Sequence, residues 1–289
     1  MVRTSANLAN AIVKLAAVDA LPALCGQLLV GNLVRRDFEP VLAEGGDLVN
    51  IPIPPVTNGG ALGNAQIGLT THVETTFQIP DVSKVIAIPD LLRLYMQPAI
   101  IAMAERVECD LLDLYGQFTA NNPIGIGGTP LTAGAVESVE TTLVDAGVSA
   151  SEPKYLVTDG MTYSNLRNMP GFHEYPTAYD AGMRALIDGS VGRIKDLFVF
   201  RSQFVKKTGT WPMTANSLAF AKNAIGMAIR RLPKPLPGTG AICEYAELGN
   251  LGIRITMAYR PDTLAQQFTV DMRYGVGVLR NQDGVQVRS

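Results

Sequence analysis

The chain of 289 residues is poor in the side chains that carry most enzyme chemistry. It has two histidines and three cysteines, and these lie too far apart for a metal-ligand spacing or a disulfide framework. It also lacks a basic leader followed by an apolar segment, and it lacks the run of roughly eighteen apolar residues that a membrane span needs. We therefore expect a globular chain made in the cytoplasm, with no metal and no membrane anchor.

An excess of positive charge is missing as well. The net charge is −2 and the sequence pI is about 5.8. Within the first forty residues Arg3, Arg35 and Arg36 alternate with Asp19 and Asp37, so there is no polybasic arm. This excludes a protein that assembles on nucleic acid by neutralising its phosphates. Apolar residues make up 47% of the chain, which is ample for a buried core.

The few candidate catalytic residues have simpler structural explanations. His72 lies on the polar side of a predicted strand, and His173 lies in a polar loop. Carboxylates one helical turn apart, such as Glu105 and Glu108, are typical of a solvated or salt-bridged helix face. The glycines within residues 121–130 follow no apolar strand and precede no P-loop lysine. We assign no catalytic, cofactor-binding or metal-binding residue.

The strongest helical pattern lies within residues 89–118. Apolar residues recur there at spacings of three and four, Pro98 suits a first helical turn, and Gly116 stands where helices often end. A second apolar strip, Ile101 and Leu112, predicts neighbours on several sides, so we interpret this element as a central spine helix. Its predicted core residues are Ile100, Met103, Val107, Leu111 and Leu114.

An unusual extended region precedes the spine. Asp47 to Pro54 alternates in polarity, but its prolines at 52 and 54 fit only an edge strand. The segment from Val73 to Ile79 alternates more clearly, and the sequence between the two is rich in Gly and Asn. The pattern predicts a long two-stranded hairpin. Because such a hairpin has no core of its own, it must rest on another domain or another molecule.

The remaining segments predict an arm, an α/β unit and a terminal hairpin. Residues 1–40 begin with a helix capped by Ser5 and continue as an apolar arm, for which a partner surface is the natural host. The middle, about 120 residues, interleaves strands and helices. Its predicted elements are a helix capped by Thr132, strand Lys154–Thr158, a helix capped by Asp159, strands Leu197–Phe200 and Ser217–Phe220, and helix Ala224–Arg231. Two long alternating strands, 251–260 and 268–278, end the chain, and the spine is their expected cover.

This order of parts resembles the major capsid (coat) protein of tailed bacteriophages, which has the Hong Kong 97-type fold. The segments that carry the resemblance are 44–54, 98–116, 189–205, 217–233 and 273–287. The resemblance implies an α+β fold with four parts. These are an N-terminal arm (1–40), an extended β-hairpin loop (41–82), a peripheral domain containing the spine helix (83–120 and 241–275), and an α/β axial domain (121–240 and 276–289).

The resemblance also implies a structural function without catalysis or cofactors. Copies of the chain would form pentamers and hexamers of an icosahedral shell around double-stranded DNA, without sequence-specific binding and without a membrane. The shell would be assembled in the host cytoplasm with a separate scaffolding protein and a portal, and it would become the virion capsid. Expected inter-subunit contacts on the extended loop and arm are Asp47, Asn50, Ile51, Ile53, Thr75, Phe77, Arg35 and Arg36. Residues 41–82 contain no lysine, so we expect no isopeptide cross-link from this loop.

Two alternatives stay open. An encapsulin-type protein compartment has the same fold and encloses an enzyme instead of DNA. A soluble α/β enzyme would need a convergent polar pocket, which two histidines and three cysteines make hard to supply.

Overall fold

In a computed structural model of the chain, the structure describes residues 13–14, 24, 26–36, 48–53, 63–80, 88–149, 151–169, 193–194, 196–230, 232–236, 239–248 and 251–289. These include four α-helices: α1 (Val30–Leu33), α2 (Ile88–Leu112), α3 (Ala133–Asp145) and α4 (Gly160–Arg167). The spine helix is α2, and a 3-10 turn (Asp113–Gln117) continues it. The predicted N-cap Ser5, the hairpin residue Asp47 and the loop residue His173 lie outside the described residues.

Thirteen strands are described. They are β1 (Leu48–Ile53), β2 (Gly63–Gly68), β3 (Thr71–Pro80), β4 (Lys154–Thr158), β5 (Arg193–Ile194), β6 (Leu197–Arg201), β7 (Lys207–Thr208), β8 (Thr214–Ala221), β9 (Ile225–Arg230), β10 (Ile242–Leu248), β11 (Leu251–Arg260), β12 (Ala265–Val278) and β13 (Gly284–Arg288).

The first sheet, which we call the antiparallel sheet, is built around β12. Its order is β10-β11-β12-β3, and β9 pairs with the final residues of β12. The predicted terminal hairpin is confirmed, because β11 and β12 pair from Arg254 opposite Asp271 to Arg260 opposite Ala265. The spine α2 covers this sheet. Strand β12 is therefore the element on which three other parts of the chain converge.

The second sheet, which we call the mixed sheet, has the order β13-β8-β4-β6-β5, and the short β7 pairs with β8. Only the β4–β6 pair is parallel among the described pairs of this sheet. Helices α3 and α4 begin where the sequence predicts. The Thr132 hydroxyl accepts a hydrogen bond from the Ala135 N–H, and the Asp159 carboxylate accepts bonds from the N–H groups of Met161 and Thr162.

The predicted pairing of the extended hairpin is wrong. The partner of β1 is β2, with Leu48 opposite Gly68, so the return strand begins earlier than the alternation indicated. Strand β3, which contains the predicted return segment, pairs instead with β12 along its whole length. The reason is aromatic and β-branched pairing across the antiparallel sheet, where Phe77 lies opposite Phe268 and Thr75 opposite Val270.

Two helix predictions also need correction. Residues 225–230 form strand β9 instead of a helix, because a short and fully buried apolar run has no period that separates the two structures. Pro98 lies inside α2 instead of in its first turn. A proline in a helix interior costs a backbone hydrogen bond, and the burial of Met96, Ala99 and Ile100 on both sides of it offsets that cost.

Three clusters of buried apolar residues hold these elements together. The first core joins the arm, the spine and the antiparallel sheet, and it contains Ile100, Met103, Val107, Leu111 and Leu114. The second core lies between the mixed sheet and helices α3 and α4. The third core is small and lies under the β1–β2 hairpin.

Candidate assembly surfaces

The β1–β2 hairpin has one apolar side and one polar side. Its apolar side buries Val49, Ile51, Ile67 and Leu69 against Ala228 and Leu279 in the third core. The opposite side exposes Leu48, Asn50, Asn64 and Gln66. Ile51, a predicted inter-subunit contact, thus lies in the interior of its own chain, whereas Asn50 faces outward. The backbone of Ile53 pairs with Gly63. The base of the hairpin therefore rests on its own subunit and presents a mostly polar face outward.

Glycines on the two strands beneath the hairpin form its seat. In register, Gly277 of β12 lies opposite Gly226 of β9. A Cβ atom added to Gly275 would collide with the Gly68 carbonyl oxygen, and one added to Gly226 would lie 2.7 Å from the Ile67 Cδ1. Glycine within a strand often marks such a close backbone approach. The glycine seat lets the hairpin lie directly on the antiparallel sheet.

Thr75 and Phe77, two further predicted contact residues, belong to β3 in the antiparallel sheet. The Phe77 ring stacks on Phe268, with centroids 5.4 Å apart, and on Tyr95 of the spine at 6.0 Å. Both Thr75 and Phe77 are half-buried within the subunit. In this structure Phe77 joins the spine helix to the sheet, and Thr75 pairs with Val270 within the sheet.

The arm is bound to its own chain at Arg35. The Arg35 N–H donates to the Ile225 carbonyl at 3.1 Å, and the Met227 N–H donates to the Arg35 carbonyl at 3.0 Å. The guanidinium of Arg36 donates to the Asn32 side chain at 3.2 Å. The arm residues Val13, Leu24, Leu28, Val30 and Val34 are buried in the first core. The host of these arm residues is thus the subunit itself, which corrects the expectation of a partner surface.

Glu108 of the spine holds the beginning of α1. Its carboxylate is buried and accepts hydrogen bonds from the N–H groups of Val30 and Gly31, each at 3.0 Å. These groups are unsatisfied within a helix of four residues, so a carboxylate is a favourable partner for them. Burial raises the pKa of Glu108, and the backbone hydrogen bonds offset only part of that rise. The contact links the arm to the spine across 78 positions of sequence.

Buried polar contacts also tie the spine and the strands to β12. The Tyr274 hydroxyl donates to Asp110 at 2.7 Å, and Arg106 pairs with Asp110 at 3.2 Å. Burial and the Asp110 carboxylate raise the pKa of Tyr274. Nearby, the fully buried carboxylate of Asp271 pairs with Arg254 of β11 and with His72 of β3. These contacts fix the relative positions of three neighbouring strands.

The described residues offer little for catalysis. They contain no group of His, Cys, Asp or Glu side chains that could hold a metal ion. An open cleft of about 480 Å³ lies beside residues 115–116 and is lined by Thr208, Asn216, Gln286 and Arg288. Burial raises the pKa of the Cys109 and Cys243 thiols. Among the described helices, none is both long and apolar enough to cross a membrane.

Sequence reasoning missed the glycine seat and the Glu108 contact, although both leave a signal. Gly275 and Gly277 stand within the predicted terminal strand, where glycine is typical of a close backbone approach. Glu108 stands within the second apolar strip of the spine, between Ile101 and Leu112. A carboxylate in such a strip requires a buried donor, because an unpaired buried charge is too costly.

Comparisons with known proteins agree with this architecture. No protein-family model and no curated protein matches the sequence. Among solved structures, a chain from Mycobacterium phage Che8 is similar over 90% of this chain and 90% of its own length, with 16% identity and a TM-score of 0.63. The capsid of Ralstonia phage GP4 is similar over 89% and 87%, with 13% identity and a TM-score of 0.62. The holo-SrpI encapsulin complex from Synechococcus elongatus PCC 7942 is similar over 84% and 81%, with 11% identity and a TM-score of 0.53.

The similarity covers between 84% and 90% of the chain, and at these identities it concerns the fold. Phage proteins and phage capsids recur among the matches, in agreement with the order of parts seen in the sequence. The chain therefore has the Hong Kong 97-type fold of tailed-phage capsid proteins.

Proposed function

We propose that the chain is a major capsid protein, a structural subunit that assembles with copies of itself into an icosahedral shell around the double-stranded DNA of a tailed phage. The observation that carries the proposal is the fold that about nine tenths of the chain share with the phage Che8 chain and the GP4 capsid. Both have a higher TM-score than the encapsulin match. Pentamers and hexamers would be the building units, the virion the final location, and the host cytoplasm the place of assembly.

The hairpin and the arm support this proposal in different ways. The hairpin is seated on its own subunit and presents Leu48, Asn50 and Gln66 outward, where a neighbouring copy can contact them. The described part of the arm braces the spine through Glu108 and β9 through Arg35, so it stabilises the subunit that the shell needs. The predicted inter-subunit contacts that the structure leaves open are Asp47, Asn50, Ile53, Thr75, Phe77, Arg35 and Arg36.

The charge of the chain fits a shell that does not grip its genome. A net charge of −2 leaves no basis for co-assembly with nucleic acid through phosphate contacts. DNA would therefore enter a preformed shell, with a separate scaffolding protein and a portal as the expected partners. The proposed subunit has no catalytic role and no cofactor.

An encapsulin-type compartment is the second candidate, and the match to the holo-SrpI encapsulin favours it. Electron microscopy of particles made by the chain, followed by analysis of their contents, separates the two functions. DNA-filled particles, or empty ones made with a scaffolding protein, support the capsid. Particles that enclose a single enzyme support the compartment, and a chain that forms no particle with any partner contradicts both.

A further inference from the structure

Opposite charges are segregated along the chain. Residues 107–153 contain seven acidic residues and no Lys, Arg or His, whereas residues 197–243 contain seven Lys or Arg and no Asp or Glu. The acidic residues are Glu108, Asp110, Asp113, Glu137, Glu140, Asp145 and Glu152, and the basic ones are Arg201, Lys206, Lys207, Lys222, Arg230, Arg231 and Lys234. A chain with a net charge of −2 thus contains two stretches of strong and opposite charge.

The acidic stretch contains helix α3, which lies on the surface. Val136, Val139 and Leu143 bury one side of α3 in the second core. The outward face of α3 exposes Glu137, Ser138, Thr141, Val144 and Asp145, and the Val144 side chain is 50% exposed. This face combines negative charge with an apolar side chain that its own subunit leaves uncovered.

The basic stretch contains the most exposed aromatic side chain among the described residues. Trp211 is 84% exposed, and Met213 beside it is 51% exposed. The loop at residues 124–129 lies against the same segment and exposes 73% of Ile126. We call Ile126, Trp211 and Met213 the Trp211 patch. Monomeric proteins seldom leave several large apolar side chains together in water, so such a patch indicates an interaction surface.

The two segments that carry the Trp211 patch pack closely against each other. A Cβ atom on Gly127 would collide with Thr214, and one on Gly128 would lie 3.0 Å from the Pro212 ring. The Ile126 carbonyl accepts hydrogen bonds from the N–H of Thr129 at 3.3 Å and from its hydroxyl at 2.6 Å. A rigid apolar anchor loses little conformational entropy on binding, which is the property of an interface hot spot.

Positive charge borders the patch. Arg288 lines the cleft that Gly127 and Thr214 also line, and its guanidinium donates to the neutral side chain of Gln286 at 3.2 Å. Lys207 in β7 and Lys206 before it pair instead with Asp159 and Asp113 of their own subunit. Because Arg288 bonds to a neutral group, its charge is available to an acidic partner.

We propose that the Trp211 patch docks on the outward face of α3 in a second copy of the chain. Both surfaces are exposed in the isolated subunit, each has an apolar centre, and their charges are complementary. A contact between two different surfaces of identical copies is heterologous, and heterologous contacts close into rings. The inference rests on the proposed shell and names the contact by which its rings would form.

Trp211 is the single tryptophan of the chain, so its fluorescence reports this contact directly. In the free subunit we expect red emission and strong quenching by acrylamide. In assembled particles we expect a shift to shorter wavelength and a loss of quenching. Particles in which Trp211 stays quenchable overturn the docking inference and leave the shell intact, whereas the absence of any particle overturns the proposed function itself. Protection that appears only after DNA or a scaffolding protein is added assigns the patch to that partner and overturns the inference.

A charge exchange tests the identity of the partner surface. Glu137→Lys with Asp145→Lys reverses the charge of α3, and Arg288→Glu reverses the charge at the border of the patch. We expect the α3 pair alone, or Arg288→Glu alone, to abolish particles while far-ultraviolet circular dichroism stays unchanged, and the three changes together to restore them. Particles that form normally with either reversal alone contradict the docking. A folded triple variant without particles contradicts it as well.

Discussion

The first and second cores are built in different ways. The second core takes most of its residues from one stretch, Leu131 to Ala221, and adds two residues of β13. The first core joins positions as distant as Val13 and Tyr274. Its elements are also connected by buried polar contacts, such as Glu108 to α1 and Asp271 to Arg254. One part of the chain is thus organised by local pattern, and the other by long-range contacts whose partners no local pattern identifies.

The largest effect is expected from Leu111→Ala in the first core. Leu111 is fully buried on the spine, so the change should lower the free energy of unfolding by about 2–5 kcal/mol. Denaturant unfolding measures this loss. Leu94→Ala, on the same helix but 66% exposed, is the matched control and should cost less than about 0.5 kcal/mol. Equal losses in the two variants would contradict the assignment of the spine's buried side.

Gly275→Ala tests the glycine seat. The new methyl group would collide with the backbone of Gly68, and we expect a loss of about 1–3 kcal/mol in the free energy of unfolding. Gly134→Ala is the control, because no atom lies within 4 Å of its Cβ position and alanine favours a helix by about 0.5–1 kcal/mol. If Gly275→Ala were as stable as the wild type, the hairpin would not lie on this strand.

Glu108→Ala tests the contact between spine and arm. It leaves two buried N–H groups without their acceptor, which should cost about 1–3 kcal/mol. Glu108→Gln separates charge from hydrogen bonding. Because the folded-state pKa of Glu108 is raised, the wild type should lose stability relative to Glu108→Gln as the pH rises above 4.5, the ordinary value. The free energy of unfolding of both proteins, measured from pH 4 to 8, should show this trend. A difference between the two proteins that stays constant with pH would contradict it.

Asp159→Ala should give the smallest of these losses in the free energy of unfolding, about 0.5–2 kcal/mol. The variant removes an N-cap from α4 beside the second core. Burial alone would raise the pKa of Asp159, but hydrogen bonds from Thr162 and Lys207 outweigh it, and the pKa is lowered. Its stabilisation is therefore present above pH 3.8, the ordinary value, and is lost as the pH falls through the folded-state pKa. Unfolding measured against pH should show a trend of opposite sign to that of Glu108, and trends of the same sign would contradict this comparison.

The difference between the two cores explains what the sequence could predict. Around the second core, the caps Thr132 and Asp159 and the strand at Lys154–Thr158 are local signals, and all three predictions are confirmed. Around the first core, the wrong predictions concern which strand pairs with which. The alternation of β3 correctly predicts a strand, but it contains no information that the partner is β12 instead of β1. Pairing across about 200 positions depends on the assembled surface of the sheet.

The candidate surfaces were also predictable only where a local sequence signal exists. The sequence indicates an extended hairpin that needs support, and the structure places its support on the glycines of β9 and β12. The sequence around Ile51 does not show whether its side chain points into the subunit or away from it. The strand register decides this. Trp211 drew no functional prediction because its exposure depends on how two loops meet.

The proposed shell is best tested by the particle mass of the purified chain beside that of Gly275→Ala, measured by light scattering and electron microscopy. We expect closed shells for the wild type and folded but unassembled subunits for Gly275→Ala, because the variant loses the seat that orients the hairpin toward its neighbour. A wild type that stays monomeric with every partner supplied would contradict the shell. Shells of equal size and yield from both chains would contradict the role of the seated hairpin.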